Sequence, residues 1–290
     1  MANKGIESKY VRTSDGANLH YLEAGTGPVL LMLHSWHGTA EQFRYQIDGL
    51  SERHRCIALE MRGHEDSEKV DHGYKIHRLA KDVYDVLQTL ELADVVLLGH
   101  SMGSSVIWCY WDLFGPQRLR KLVFVDEPPF LTSNPAWSDA DRRSSGAIWD
   151  LQGALNTCNA IAGPDGESTT RQLFNGLFTK NMAMAEKTRI IETFLKLPRQ
   201  HAASLLYNHS AQDWRDVIPR ISLPTLIVGG RASLVPWQSQ EWIHQQISGS
   251  RLEIFEEEEG GNHFMFIEQP QKFNHIVSEF IGHRDAFAVR

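Results

Sequence analysis

The chain of 290 residues contains only three cysteines, Cys56, Cys109 and Cys158, and no two of them form a C-x-x-C pair. An odd number of widely spaced cysteines argues against a disulfide framework and against a cysteine zinc site. The fourteen histidines show no H-E-x-x-H or comparable spacing, so neither a metal nor another cofactor is predicted. We expect a reducing compartment, with Cys56 and Cys109 as small buried apolar residues.

The sequence also lacks long apolar segments and an excess of basic residues. Its N-terminus has no apolar run typical of a signal peptide, and no stretch approaches the ~18 apolar residues of a membrane span. The net charge of −7 and the isoelectric point near 6.0 provide no basic face for nucleic acid or anionic lipid. These absences favour a cytoplasmic protein that acts on a small molecule, and they leave its oligomeric state open.

What the sequence does contain is a series of short apolar runs separated by helical patterns. The runs are Val29–Leu33, Cys56–Leu59, Val95–Leu98, Leu122–Val125, Leu226–Val228 and Leu252–Phe255. Runs of this length without alternation predict strands that are covered on both faces, and therefore a mostly parallel sheet. The clearest helical pattern extends from Ile76 to Leu90, where apolar residues recur on one helix face. Strands that alternate with helices in this way predict the α/β class.

One long interval interrupts the alternation of strands and helices. From Pro128 to about Arg215 no strand is predicted, and the helix-like stretches carry several tryptophan, phenylalanine and methionine residues. We interpret residues 128–215 as a helical cap inserted into a core formed by residues 1–127 and 216–290. The alternative is a second small domain that is unrelated to the functional site.

A strand, a tight turn and a helix surround Ser101. The run Val95–Leu98 leads into the G-x-S-x-G motif of residues 99–103, and a helix is predicted over Ser105–Phe114. The two glycines allow the backbone to turn sharply, so that the serine hydroxyl is exposed at the N-terminus of the helix. This context predicts that Ser101 is a nucleophile.

With this motif the chain resembles the α/β-hydrolase superfamily from about residue 10 to residue 282. The resemblance also includes Leu33–Gly38, Met61–His64 and Gly260–Phe264. It implies the α/β-hydrolase fold, with a mostly parallel central sheet flanked by helices and a helical cap after the sixth strand. The resemblance does not specify a reaction, because this fold hosts esterases, lactonases, dehalogenases, lyases, oxygenases and receptors.

The resemblance also assigns roles to residues near Ser101. It implies that His263 is the general base, since a serine hydroxyl needs an imidazole to accept its proton. It implies that the backbone N–H groups of Met102 and Trp36 bind the oxyanion, although this chain has His34-Ser35 where the family usually has His-Gly. Other residues are expected to contact the substrate, namely Ser35, His37, His100, Trp137 and Trp149.

The catalytic acid is missing from its usual place in this family. That place is the turn within residues 229–236, where Ala232 and Ser233 stand instead of an aspartate. Ser233 cannot replace a carboxylate, and we expect alanine at this position to leave the rate near wild type. Asp126 falls at the acid position of a fungal zearalenone lactonase and of the cofactor-independent quinolone dioxygenases, whereas Glu127 is expected to point to the opposite side. The alternative is that Asp126 only turns or caps the chain.

Two enzyme classes fit these residues. The first is a hydrolase that cleaves an ester or lactone bond of a hydrophobic small molecule through an acyl-Ser101 intermediate. The second is a cofactor-independent dioxygenase that opens a 3-hydroxy-4-quinolone-type ring, in which His263 deprotonates the substrate and Ser101 is not a covalent nucleophile. Trp36, Arg62–His64 and Gly73-Tyr74 are shared with that second class. A third alternative is a lyase or a small-molecule receptor on the same fold.

Overall fold

A computed structural model of the chain describes residues 5–282, so the parts of the predicted core at residues 1–4 and 283–290 lie outside it. Eight strands form the main sheet, in the order β1-β2-β4-β3-β5-β6-β9-β10. They are β1 (Glu7–Arg12), β2 (Asn18–Ala24), β3 (Val29–Leu33), β4 (Arg55–Leu59), β5 (Val95–His100), β6 (Leu119–Val125), β9 (Thr225–Gly230) and β10 (Arg251–Phe255).

The main sheet is mostly parallel. Only the pairings β1 with β2 and β2 with β4 are antiparallel among the described strands of this sheet. All six predicted strands are present, and β5 is buried along its whole length, which explains its continuous apolar sequence. No apolar run marks β1, because most of its residues are exposed at the edge of the sheet.

Helices flank the sheet, and five of them lie in the long interval between β6 and β9. They are α1 (Arg44–Leu50), α2 (Ile76–Thr89), α3 (Met102–Phe114), α4 (Asp139–Ser145), α5 (Leu151–Ala162), α6 (Gly166–Asn175), α7 (Met184–Phe194), α8 (Arg199–Ser210), α9 (Trp237–Gln246), α10 (Met265–Glu268) and α11 (Pro270–Gly282). Three short 3-10 helices lie at Ala40–Phe43, Ile218–Arg220 and Glu257–Glu259. Helix α2 matches its predicted range, whereas α3 begins three residues before the predicted Ser105 because the chain turns directly from Ser101 into the helix.

The interval between β6 and β9 is helical, as its sequence predicts, and contains α4–α8. The expectation that it contains no strand is wrong, because β7 (Thr132–Ser133) pairs in parallel with β8 (Trp149–Asp150). Two residues are too few to produce a periodic pattern in the sequence. The interval contacts the core through a hydrogen bond of 2.9 Å from Trp36 Nε1 to the carbonyl oxygen of Ala202 on α8.

The topology brings several chain segments to one edge of the sheet. Strands β3, β5, β6, β9 and β10 run parallel to one another, so the residues after their carboxyl ends meet at the same edge.

Cys56, Cys109 and Cys158 are free and buried, and burial raises the pKa of the Cys56 and Cys109 thiols to about 12. Within residues 5–282, no helix is both long and apolar enough to cross a membrane.

Candidate active site

Ser101 lies on a strained turn between β5 and α3. Its φ of 51° and ψ of −126° are uncommon for a residue that is not glycine, and such strain is concentrated at functional sites. The turn is held by a hydrogen bond of 2.8 Å from the Ser101 amide to the carbonyl oxygen of Val125 on β6. A Cβ atom at Gly103 would lie 2.4 Å from the carbonyl oxygen of Leu33, so the helix approaches β3 closely only because residue 103 is glycine.

Asp126 directly follows β6 and is hydrogen-bonded to His263. The Nδ1 atom of His263 lies 2.7 Å from Oδ2 of Asp126, and both side chains are buried. Because the carboxylate accepts this hydrogen bond, Nδ1 carries the hydrogen and Nε2 is the basic nitrogen. Within residues 5–282, Nε2 of His263 has no hydrogen-bond partner. The imidazole is therefore oriented by the acid and free to accept a proton.

Ser233 contacts the same carboxylate from the turn after β9. Its hydroxyl group donates to Oδ2 of Asp126 at 2.5 Å, and the amide of Gly230 donates to Oδ1 at 3.2 Å. Asp126 itself has a φ of 52°, so a second non-glycine residue adopts a strained conformation beside Ser101. The residue at the vacant acid position is thus a hydrogen-bond donor to Asp126, a role that the sequence reasoning did not assign.

Two backbone N–H groups are available for an oxyanion. Within the described part of the chain, neither the amide of Trp36 nor that of Met102 donates to an acceptor. Met102 is the first residue of α3, where N–H groups have no partner inside the helix and the helix dipole favours negative charge. The loop that carries Trp36 is held by His64, whose Nε2 donates to the Trp36 carbonyl oxygen at 2.6 Å.

Ser101 and His263 line one cavity of about 570 Å³, counting the space at its open mouth. Ser35, Trp36 and Trp149, which the sequence singled out, also line it. Ten of the fifteen lining residues are apolar. The segment between β6 and β9 contributes many of them, including Leu131, Ile148, Trp149, Leu173, Phe174 and Leu177. A largely apolar lining with a few polar side chains is typical of a site for a small apolar ligand.

A family model described as alpha/beta hydrolase fold matches residues 28–270.

The chain belongs to this family.

Individual α/β hydrolases cover nearly the whole chain. The protein YisY from Bacillus subtilis, described as an AB hydrolase superfamily protein, is 26% identical over 93% of this chain and 98% of its own length. A bromoperoxidase from Bacillus anthracis has a TM-score of 0.87 at 21% identity, covering 96% of this chain and 100% of that chain. An esterase from Exiguobacterium antarcticum has a TM-score of 0.83 at 25% identity, with the same coverage. Enol-lactonases, epoxide hydrolases and chloroperoxidases also match, so the similarity does not select one reaction.

In this α/β hydrolase, His100 is not among the residues that line the cavity, so its contact with substrate stays a prediction. It is fully buried, its Nε2 donates to the carbonyl oxygen of His263 at 2.9 Å, and Gln42 Nε2 donates to its Nδ1 at 3.2 Å. Burial, together with the nearby His263, lowers the pKa of His100 well below its usual value. His100 therefore holds the backbone of the histidine loop as a neutral hydrogen-bonding residue.

His37 and Trp137 are also absent from the cavity lining, so their contacts with substrate stay predictions as well. His37 is buried and accepts a hydrogen bond of 3.2 Å from Arg199. Burial and the adjacent guanidinium lower the pKa of His37 well below its usual value. Trp137 is partly exposed and packs against the guanidinium of Arg215, whose Cζ lies 4.5 Å from the indole centroid. The His37 ring packs against Trp36 and Phe174, which do line the cavity, with ring centroids 3.9 and 5.1 Å away.

The structure adds a second carboxylate–histidine pair to the cavity wall. Oε1 of Glu127 lies 2.7 Å from Nε2 of His209 and accepts a hydrogen bond of 2.6 Å from the Ser105 hydroxyl. The adjacent acids 126 and 127 thus have different partners, consistent with the alternation expected at a strand end. No motif in the sequence marks His209, because only the packing of α8 brings it to this edge.

A third carboxylate–histidine group lies elsewhere, with His20 and Glu60 buried and Asp66 exposed. The ligand atoms of His20, Glu60 and Asp66 all lie within 4.8 Å of one another, a spacing that could hold a metal ion. The Glu60 carboxylate, however, already accepts hydrogen bonds from the amides of Ala40 at 3.2 Å and Asp66 at 3.0 Å, and pairs with His20 Nδ1 at 2.9 Å. The fold therefore satisfies this carboxylate through its own donors.

Proposed function

We propose that this protein is a serine hydrolase that cleaves an ester or lactone bond of a hydrophobic small molecule. The observation that carries the proposal is the 2.7 Å hydrogen bond between Asp126 and His263, which share one site with the strained Ser101. An acid, a base and a serine on the turn after a strand are sufficient for nucleophilic catalysis of acyl transfer. Relatives described as esterases and enol-lactonases support this choice of bond.

In the proposed mechanism, Oγ of Ser101 attacks the carbonyl carbon of the substrate and transfers its proton to Nε2 of His263. Asp126 stabilises the resulting imidazolium through the hydrogen bond at Nδ1. The N–H groups of Trp36 and Met102 bind the negatively charged oxygen of the tetrahedral intermediate. His263 then gives its proton to the leaving alcohol, and an acyl ester remains on Ser101. Water, activated by the same imidazole, hydrolyses that ester and restores the enzyme.

We further propose that residues 128–215 form a cap over the reacting groups. Leu131 and Trp149 in the first part of this segment and Leu206 on α8 share the cavity lining with Ser101. Such a cap excludes water from the acyl-enzyme and favours apolar acyl groups over acetate-sized ones. We therefore expect a small hydrophobic substrate whose acyl or ring portion fills the space under the cap.

The test is the activity of Ser101→Ala on a series of aryl esters and lactones. We expect turnover to fall by roughly 10⁴ or more, because the nucleophile is removed while the fold is kept. Ser168→Ala is the matched control, since Ser168 is an exposed serine on α6, and it should retain full activity. The proposal fails if Ser101→Ala hydrolyses the esters normally. It also fails if that variant consumes dioxygen with a hydroxyquinolone at the wild-type rate, a result that supports the dioxygenase instead.

A further inference from the structure

Two polar residues of the cavity have no part in the proposed acyl transfer. Apart from Ser35, Ser101 and His263, the polar lining residues are Glu127 and His209, in a wall that is otherwise apolar. Glu127 follows Asp126 at the end of β6, and His209 lies in the last turn of α8. Both are almost completely buried. Burying a carboxylate in an apolar wall costs free energy unless the carboxylate is paired or binds a partner.

The hydrogen bonds of Glu127 are concentrated on one of its two carboxylate oxygens. Oε1 accepts from the Ser105 hydroxyl at 2.6 Å and is 2.7 Å from Nε2 of His209, while the Trp214 indole N–H donates to Ser105 at 3.1 Å. Within residues 5–282, Oε2 of Glu127 has no hydrogen-bond donor. The network thus fixes the carboxylate by one oxygen and leaves the other as an acceptor in a residue that lines the cavity.

The position of Glu127 relative to the nucleophile follows from α3. Ser105 comes four residues after Ser101, which corresponds to about one helical turn, or about 5.4 Å along the helix axis. The carboxylate bound by Ser105 therefore lies beside the first turn of α3, in the same cavity lining as Ser101. If a cyclic substrate places its carbonyl group at Ser101, a polar group on the far side of its ring would contact the Glu127 carboxylate.

We propose that Glu127, held by His209 and Ser105, selects substrates that carry a hydrogen-bond donor, such as a hydroxyl or N–H group, on the part of the molecule remote from the carbonyl. The donor satisfies Oε2, whereas an analogue without it leaves a buried carboxylate oxygen without a partner. The orientation of the ligand rests on the proposed function of Ser101. Glu127 is a specificity residue in this scheme and takes no part in the chemical step.

A purely structural role for the same network makes a different prediction. Glu127 and Ser105 belong to the core, and His209 and Trp214 belong to the segment between β6 and β9, so their hydrogen bonds also join the two parts. If this were their only role, Glu127→Gln would lower the melting temperature and leave ligand preference unchanged. A selective loss of preference therefore distinguishes recognition from simple attachment.

The experiment measures equilibrium binding of three ketones, which a serine hydrolase cannot cleave. They are an acetylnaphthalene, the acetylnaphthol with a hydroxyl on the distal ring, and the methyl ether of that acetylnaphthol. In the wild-type protein we expect the naphthol to bind about tenfold more tightly than the other two, a ratio equivalent to about 1.4 kcal/mol. In Glu127→Gln we expect this preference to disappear while the affinity for acetylnaphthalene is retained. Equal binding of the three ketones by the wild type, or an unchanged preference in Glu127→Gln, overturns the proposal.

A crystal structure of the wild-type complex with the acetylnaphthol decides the question even if Glu127→Gln does not fold. We expect the ligand hydroxyl within about 3 Å of Oε2 of Glu127, and a hydroxyl bound elsewhere contradicts the proposal. Because ketone binding needs no nucleophile, these results are independent of whether Ser101 forms an acyl-enzyme. Failure of the hydrolase proposal would appear in the turnover of Ser101→Ala, not in this assay.

Discussion

Asp126 accepts three hydrogen bonds at the active site, from His263, Ser233 and the amide of Gly230. In the proposed mechanism the acid is supplied from the end of β6, and the turn after β9 contributes the hydroxyl group of Ser233. With Asp126 as the acid, the proposed acyl transfer does not need an aspartate at position 233. Ser233 is then a positioning residue that acts through Asp126.

We predict that Asp126→Asn retains the fold but lowers kcat by about 10⁴, because an amide favours the wrong tautomer of His263. The double variant Asp126→Asn/Ser233→Asp should recover part of this loss, since the side chain at position 233 already contacts the same site. Full recovery is not expected, because the surroundings of Ser233 are not built to hold a carboxylate. Glu258→Gln, at an exposed position in the 3-10 helix Glu257–Glu259, is the control. Near-normal kinetics of Asp126→Asn would contradict the assignment of the acid.

Ser233→Ala belongs to the same series of variants. The sequence alone suggests that it stays near wild type, whereas the hydrogen bond to Oδ2 of Asp126 predicts a fall in kcat of about 3- to 10-fold. Ser233→Thr keeps the hydroxyl and should restore most of the rate. A structural effect alone would move the melting temperature of Ser233→Ala and leave kcat unchanged, so both quantities are measured. An unchanged kcat would show that the Ser233 hydroxyl group does not contribute to the rate.

Sequence reasoning identifies the candidate site residues that stand in local motifs. It misses the residues that reach the site only through packing. Ser101 is marked by its turn motif, and the interpretation of Asp126 follows from its place at the end of a buried strand. His209 stands in no motif and reaches the cavity only through the docking of α8. The directions of the His37 and His100 side chains depend on Arg199 and Gln42, which are distant in sequence.

At the level of strands and helices, burial decides what can be predicted. All six predicted strands have short apolar runs, and five of them are almost entirely buried, whereas β10 is half-buried. Strand β2 is also buried but was not predicted, because His20 and Glu23 interrupt its apolar residues. Strand β1 is largely exposed and β7 and β8 have two residues each, so none of them leaves such a run. The early start of α3 depends on the left-handed conformation of Ser101, which is imposed by its neighbours in three dimensions.

The close approach of α3 to β3 can be tested at Gly103. A Cβ atom there would lie 2.4 Å from the carbonyl oxygen of Leu33 and 3.0 Å from that of His34. We predict that Gly103→Ala destabilises the protein by about 2–4 kcal/mol, because backbone atoms of the central sheet cannot move aside easily. Gly176→Ala is the matched control, since its Cβ would meet nothing closer than 3.8 Å. Urea unfolding of both variants is the measurement, and equal stability would contradict the close approach.

Across the whole molecule, buried histidines predict how stability depends on pH. Burial lowers the pKa of His34, His37, His64 and His100 below the usual value. Below about pH 6.5 the unfolded chain binds protons at these positions that the folded chain does not, so stability is lost as the pH falls. His20 acts in the opposite direction, since Glu60 raises its pKa despite burial. The pKa values of His54 and His201 are lowered as well, so six histidines act against His20 and their net effect is destabilisation.

We therefore predict that the free energy of unfolding, measured with urea, is clearly lower at about pH 5.5 than at about pH 7.5. Each of the four fully buried histidines contributes up to about 1.4 kcal/mol per pH unit in this window. His100→Gln should make the dependence shallower, whereas His275→Gln, at an exposed position on α11, should not change it. A protein that is equally or more stable at the lower pH would show that these imidazoles are protonated in the fold.

The central claim is that Ser101 is a nucleophile activated by His263 and Asp126. The most direct measurement is the intact mass of the protein after incubation with a fluorophosphonate, followed by identification of the labelled peptide. We predict one covalent adduct per chain on the peptide that contains Ser101, no adduct in Ser101→Ala, and greatly slowed labelling in His263→Gln. An unmodified wild-type protein, or label attached at another residue, would contradict the account.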